Sequence, residues 1–232
     1  MADFALSTTS TAFLLGLVPT IFWLFFWLRT DRDKPEPFGL LMLCFILGGL
    51  SIFVASTVQH VIAPLFPGET TQMVVWAGIE EIIKFAVFFI IAFFNPHNDE
   101  AIDPAIYMIA VALGFAALEN IFYVIQPGIV GNVTTSLLTG SMRFFGATLL
   151  HTIASAFVGI VIGMTARKYR SGAVLIGLAG AITLHATFNF FILKNDTASA
   201  LQIYGYLWVA AIISHVTLEK LRRIPSSETL SN

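Results

Sequence analysis

The residues able to do chemistry in this 232-residue chain are few, and most of them lie inside apolar runs. Glu80, Glu81 and Lys84 share one run, Glu119 and Asn120 lie in the next, His151 in a third, and His185 with Asn189 in a fourth. On insertion scales each charge at the centre of a membrane helix costs about 2.5–3.5 kcal/mol. Four charges and two imidazoles therefore represent a burden on the order of 10 kcal/mol, comparable to the whole stability of a folded protein. Groups this costly are, as a rule, paired and functional.

Two histidines and a carboxylate match a common catalytic zinc set that keeps a fourth position for water. Glu119, His151 and His185 can supply it, with Zn2+ as the expected divalent metal. Glu80 or Glu81 is then available as the general base, while the metal lowers the water's pKa to about 7 and polarises a carbonyl. Lys84 follows Glu80 by four residues and Glu81 by three, so it can reach either and keep one ionised. Asn189, one turn after His185, can donate to an oxyanion. Other hydrolytic inventories fail. The aspartates (Asp3, Asp31, Asp33, Asp99, Asp103, Asp196) are all expected in loops or tails, which leaves no buried aspartyl pair. There is no His-Glu-x-x-His, Ser141 is an isolated Gly-Ser, and Cys44 has no histidine within a turn. A single cysteine also excludes an intrachain disulfide or a thiol metal cluster.

The elements that carry these residues follow from composition. Hydrophobic residues make up 57% of the chain and charged residues 11%, with a mean hydropathy of +0.84. A soluble domain carries about 25% charged residues. Apolar runs long enough to span a bilayer cover roughly 11–28, 39–62, 72–94, 104–126, 142–166, 172–193 and 199–216. The predicted fold is all-α, a polytopic bundle of about seven spans: one membrane domain over 1–216 and a basic, then polar, cytoplasmic tail over 217–232. The first run lacks a basic leader and a small-residue cleavage site, so it is expected to be a mature helix. A net charge of -2 gives no reason to expect nucleic acid as a partner.

Basic residues in short loops favour the cytoplasm. Arg29, Arg32 and Lys34, then Arg167, Lys168 and Arg170, then Lys220, Arg222 and Arg223 fall on one side if there are seven spans. That puts the N-terminus outside and the C-terminus in the cytoplasm, in what is expected to be a prokaryotic cell membrane. At 1.5 Å per residue, Glu80, Glu119, His151 and His185 then share a layer roughly 10–14 Å below the outer boundary. Small residues recur at i+4 with the histidines: Ser155, Gly159 and Gly163 after His151, and Ala173, Gly177 and Ala181 before His185. Such faces let membrane helices approach closely. The two small faces are expected to pair and close the inner half, leaving a cavity open outward.

At these residues the chain resembles a known family. Glu80-Glu81-Ile82-Ile83-Lys84 is similar to the EExxK motif of the PrsW intramembrane proteases, and Phe115 through Glu119 to their FxxxE motif. His151 and His185 match the two later histidine motifs, with Asn189 four residues after the second. The resemblance covers about half the chain. It implies regulated cleavage of membrane proteins such as anti-sigma factors, with Glu80 as the base and Glu81 in support. The wider superfamily, which includes the CAAX prenyl proteases and bacteriocin-processing enzymes, typically has histidine where this chain has Glu119. Water activation by a metal or by a Glu–His pair both stay open at this point.

Blander readings have particular predictions of their own. The Glu–Lys84 contact can be a structural ion pair. His60 and His215 lie off the layer and read as packing residues. Asn120 can serve the site or simply bond between helices. Arg143 reads as a boundary residue that snorkels, and Trp23 and Trp27 as anchors at the inner interface. The rival function is a proton-coupled transporter or channel, which would use the same buried Glu, Lys and His; no inverted repeat or Gly/Pro-broken helix pair supports it. A scaffold without chemistry would not need the layer.

Overall fold

A computed structural model describes residues 2–125, 143–166, 169–193 and 197–224. The loop 127–141, Arg167, Lys168, Lys194 and the final residues of the tail lie outside the described residues, as does the side chain of Arg143. Helices α1 (Ala2–Leu28), α2 (Phe38–Ile62), α3 (Glu69–Phe88), α4 (Asp103–Val124), α5 (Thr148–Gly163), α6 (Arg170–Leu193) and α7 (Thr197–Leu221) correspond one to one with the expected spans. Single π turns extend α3 over Phe89–Phe93 and precede α5 over Arg143–Ala147. Among the described residues, six of these helices are long and apolar enough to cross a membrane. The exception is α3, whose 20 residues include Glu69, Glu80, Glu81 and Lys84. The helix too polar to count as a span is the one that brings the Glu81–Lys84 pair to the interior. The last helix continues to Leu221, past the expected end of its span at 216.

The bundle is organised around α4. Every residue from Asp103 to Ala117 is buried, and 83% of its span is inside the protein, against 22% for α6. The helix is apolar on all sides because neighbours surround it: α1 and α2 pack on it, α5 packs on another face, α6 and α7 lie against α5, and α3 bridges α2 to α6. Burial this complete requires backbones to touch. A Cβ at Gly114 would sit 1.8 Å from the Phe45 carbonyl oxygen, and one at Gly48 would sit 2.2 Å from that of Val111. Small residues at such crossings are what hold membrane helices together, since lipid offers no hydrophobic contrast.

The small face of α5 behaves differently from the expectation. Gly159 meets the backbone of Ala105, and Gly163 meets the Ala101 carbonyl, so this face packs on the start of α4 and not on the small face of α6. Gly177 of α6 instead meets Val158. Since α5 lies between α4 and α6, its glycine face can serve only one of them, and the residue next to Gly159 on the helix turns toward the other.

Three further expectations change. Trp23 and Trp27 are buried between α1 and α7, where Trp23 lies 5.9 Å from the ring of Trp208, and are not exposed as interface anchors. Their rings are large enough to fill the gap between two helices whose outer faces are already apolar. Asp31 and Asp103 are not loop residues open to water: they are 2% and 0% exposed, at the end of α1 and the start of α4. Asp103 sits at a helix N-terminus, which favours a carboxylate, and accepts the amides of Asp99 and Glu100, while Asp31 accepts the amide of Glu36 in the following turn. The hydropathy of the flanking loops does not reveal either. The packing reading of His215 fits, with its ring 5.5 Å from Phe26 and 6.0 Å from Trp27. His60, expected as a packing residue, is instead exposed in the last turn of α2.

Candidate active site

All seven residues singled out in the sequence come together where α3, α4, α5 and α6 converge. Glu81 and Lys84, one turn apart on α3 and both fully buried, form an ion pair at 2.6 Å. Lys84 thus pairs with Glu81 and not with Glu80. The Lys84 Nζ also lies 3.0 Å from Nδ1 of His151 and 5.3 Å from the centroid of the Phe115 ring. An ammonium has donors only, so Nδ1 of His151 accepts. Its Nε2 then carries the hydrogen and donates to Oε2 of Glu119 at 2.8 Å.

His185 is held the opposite way. Its Nδ1 lies 2.8 Å from Oε1 of Glu81. A carboxylate accepts, so Nδ1 is the protonated nitrogen and Nε2 turns a lone pair toward Glu80, whose Oε2 is 3.7 Å away. This carboxylate–histidine arrangement sets ring orientation and basicity in metal sites. Glu81 and Lys84 therefore stand behind the two imidazoles and orient them, and the two rings meet edge to face at 5.0 Å.

Glu80 is anchored from α2, where Gln59 Nε2 donates to its Oε1 at 3.0 Å, while its buried Oε2 has no donor. Gln59 was missed at the sequence level, although a glutamine near the end of an apolar run is itself a signal. Asn120 donates to Thr148 Oγ1 at 2.9 Å and joins α4 to α5. Of its two readings the structure gives the interhelical one a partner.

A cavity of about 550 Å³ opens onto this cluster. Glu80, Glu119, His151, His185 and Asn189 line it, and Trp76, Tyr123 and Tyr204 form part of its wall. Its lining climbs to Glu69 and Gln72 at the start of α3, Tyr123 at the end of α4 and Ile192 at the end of α6. The cavity therefore runs toward a single end of the bundle, the end where α3 begins and α4 and α6 finish.

The donor set fits a divalent metal by type and spacing. Glu80, His151 and His185 each offer one ligand atom, and these lie within 4.8 Å of one another. Glu119 reaches the same group through His151. His185 already turns a lone pair inward. His151 does not, so taking up a metal through Nε2 would release a proton from the Lys84–His151 pair.

Comparison with known proteins agrees with this chemistry. Residues 36–216 match the model of the PrsW family intramembrane metalloprotease. The chain is 27% identical to Protease PrsW of Bacillus subtilis (strain 168) over 201 residues, covering 83% of this chain and 88% of the relative. It is 25% identical to Protease PrsW of Geobacillus kaustophilus (strain HTA426) over 210 residues, with 85% and 87% covered. Against Protease PrsW of Clostridioides difficile (strain 630) it is 25% identical over 226 residues, with 91% and 90% covered. No solved structure matches. A charged cluster at the foot of a cavity inside a bundle of apolar helices, and a family match that spans all four helices carrying it, lead to one conclusion: the chain is an integral membrane peptidase and belongs to the PrsW family of intramembrane metalloproteases.

Proposed function

We propose that this protease cuts a single-span membrane protein near the extracytoplasmic face, using a water activated between Glu80 and the two histidines. The observation that carries the reading is the convergence of Glu80, Glu119, His151 and His185 on one cavity open toward one end of the bundle. The basic residues flanking the opposite end, Arg29, Arg32 and Lys34 together with Lys220, Arg222 and Arg223, support an N-terminus outside and a C-terminus in the cytoplasm. The membrane domain is taken as 1–216, with 217–232 as the cytoplasmic tail.

Each residue has a role that its contacts support. Glu80 has one oxygen fixed by Gln59 and one without a donor, which suits a base that takes a proton from water. His151 and His185 hold the divalent metal together with a carboxylate, which is Glu119 by the sequence reading, although it is Glu80 whose oxygen lies within 4.8 Å of both histidine nitrogens. A two-histidine, one-carboxylate set favours Zn2+. When bound, such an ion supplies a water of lowered pKa and polarises the scissile carbonyl. Glu81 and Lys84 hold the imidazoles in register. Asn189, on the cavity wall, donates its amide to the carbonyl oxygen as charge develops there. A scissile bond in a substrate helix is already hydrogen-bonded, and lipid offers no replacement partner. The substrate must therefore unwind inside the cavity, where Asn189 and the carboxylates meet the freed groups. An anti-sigma factor has the right architecture for such a substrate.

The test is reconstitution of the full chain with candidate single-span substrates, followed by mapping of the product termini. The expected cut falls in the outer third of the substrate span, and helix-breaking residues there speed it. A cut on the cytoplasmic side would overturn the orientation or the depth assignment. Insensitivity to strong chelators, with no metal copurifying, would leave the residues in place and transfer activation to the Glu80–His pair alone.

A further inference from the structure

A second group of carboxyls gathers at the other end of α4. Asp31 closes the short 3-10 turn Arg29–Asp31 after α1, Glu36 precedes α2, Glu100 lies in the turn before α4, and Asp103 begins α4. Asp103 Oδ2 accepts the backbone amides of Asp99 at 2.8 Å and Glu100 at 2.5 Å. Asp31 Oδ2 accepts the amide of Glu36 at 3.2 Å. In each aspartate the other oxygen, Oδ1, is buried and reached by no donor. One oxygen from each of Asp31, Glu100 and Asp103 lies within 4.8 Å of the other two. Two of the described cations at this end, Lys34 and Arg222, already have carboxylate partners, one of them Glu100 itself. Lys34 sits 2.6 Å from Asp99 and 3.8 Å from Glu100, and Arg222 pairs with Asp33 and Glu219. The Tyr107 hydroxyl donates to Glu36.

Acceptor oxygens thus gather in a corner where both aspartates are buried and Glu100 is partly exposed, with the Glu36 carboxyl beside Asp103. Buried carboxylate oxygens need positive charge close by, and isolated ones are costly. Among the described residues, no side-chain cation bonds either Oδ1. We propose that Asp31, Glu100 and Asp103 form a second metal site, for a hard divalent cation of the Mg2+ or Ca2+ class. The ligands are all oxygens, with no imidazole or thiolate among them, and that donor set selects hard cations over zinc. The site is separate from the catalytic one. Asp103 and Glu119 sit on the same helix sixteen residues apart, about 24 Å at 1.5 Å per residue. Its consequence is mechanical: a cation there ties the α1–α2 turn to the turn before α4 and fixes the start of the helix that carries Glu119.

The rival is a set of shared protons. Glu36 faces Asp103, and burial pushes its carboxyl up to about 8, so it can remain neutral and donate. Equilibrium Mn2+ binding to the chelator-stripped full chain in detergent, read by electron paramagnetic resonance, separates the two. The site predicts one Mn2+ that excess Mg2+ or Ca2+ displaces and that persists in His185→Ala, where the catalytic set is broken. Affinity should fall at least tenfold in Asp31→Asn and in Glu100→Gln. The unfolding temperature of the unmodified chain should rise saturably with Mg2+ or Ca2+, and that rise should vanish in both variants. If Asp31→Asn does not fold, Glu100→Gln in the half-buried turn and the titration of the unmodified chain decide. Loss of all Mn2+ binding in His185→Ala, unchanged affinity in Glu100→Gln, or an unfolding temperature flat in both cations would overturn the proposal in favour of shared protons.

Discussion

The two ends of α4 bury carboxylates in opposite ways. At the Glu119 end, the fully buried Glu81 is compensated by charge from within the chain, with Lys84 at 2.6 Å and His185 at 2.8 Å on one oxygen, although its Oε2, like that of Glu80, has no donor. At the Asp103 end, two aspartates each leave a buried oxygen without a donor and without a bonded cation, and the lysine beside them among the described residues, Lys34, is turned outward to Asp99 and is half exposed. A lysine that threads an apolar helix has no water to reach and must find its acid inside, so it orders the site. A lysine in a turn can satisfy itself at the surface, and the interior carboxyls must look elsewhere. Compensation from within produces a rigid constellation that keeps its geometry without help. The other corner depends on something from solution.

The largest effect that would break this comparison is on catalysis. Glu80→Gln and His185→Ala each remove a group facing the cavity, and each should lower the cleavage rate roughly 10²–10⁴-fold, the range for a lost general base or its partner. Near-normal cleavage by either variant in proteoliposomes would mean the chemistry lies elsewhere.

Next comes the ion pair behind the histidines. Lys84→Met strands Glu81 and should destabilise the protein by about 3–5 kcal/mol, as breaking a buried pair does. The double variant Lys84→Met with Glu81→Leu removes both charges and should recover most of that stability without recovering activity, because His151 and His185 lose the contacts that set their rings. Thermal unfolding in detergent, run beside the cleavage assay, measures both. Recovery of activity in the double variant would refute the orienting role.

Two smaller effects sharpen the contrast. Asn120→Ala deletes one interhelical hydrogen bond to Thr148, and such bonds average about 0.6 kcal/mol in membrane helices. A modest drop in stability with cleavage intact is the expected result, and a collapse of activity would return Asn120 to the site. Lys34→Ala removes an exposed pair with Asp99, worth about 0–1 kcal/mol. A loss like that of Lys84→Met would show that the outer lysine is compensating the buried aspartates after all.

Much of this was legible in one dimension because membrane spans obey a strict accounting of polar groups. With no water to hide in, Glu80, Glu81, Lys84, Glu119, His151 and His185 stand out against their apolar neighbours, and the rise of a helix places them at a common depth. All seven helices follow from the same rule, including α3, which composition alone ranks lowest.

What the chain did not disclose is which side faces which neighbour. Spacing allowed Lys84 either glutamate, and only the packing of α3 against α5 and α6 turned it to Glu81 and His151. Gln59 reaches Glu80 because α2 and α3 lie side by side. The glycines of α5 advertised a close contact without naming the partner, and the central position of α4 decided it. Asp31 and Asp103 read as loop residues because hydropathy reports on a segment, whereas their burial comes from two turns, far apart in sequence, folding against each other. Helix positions and the cost of burying a charge are local or one-body properties, and the sequence by itself determined them. Pairing is a property of two elements at once, and only the tertiary structure could decide it.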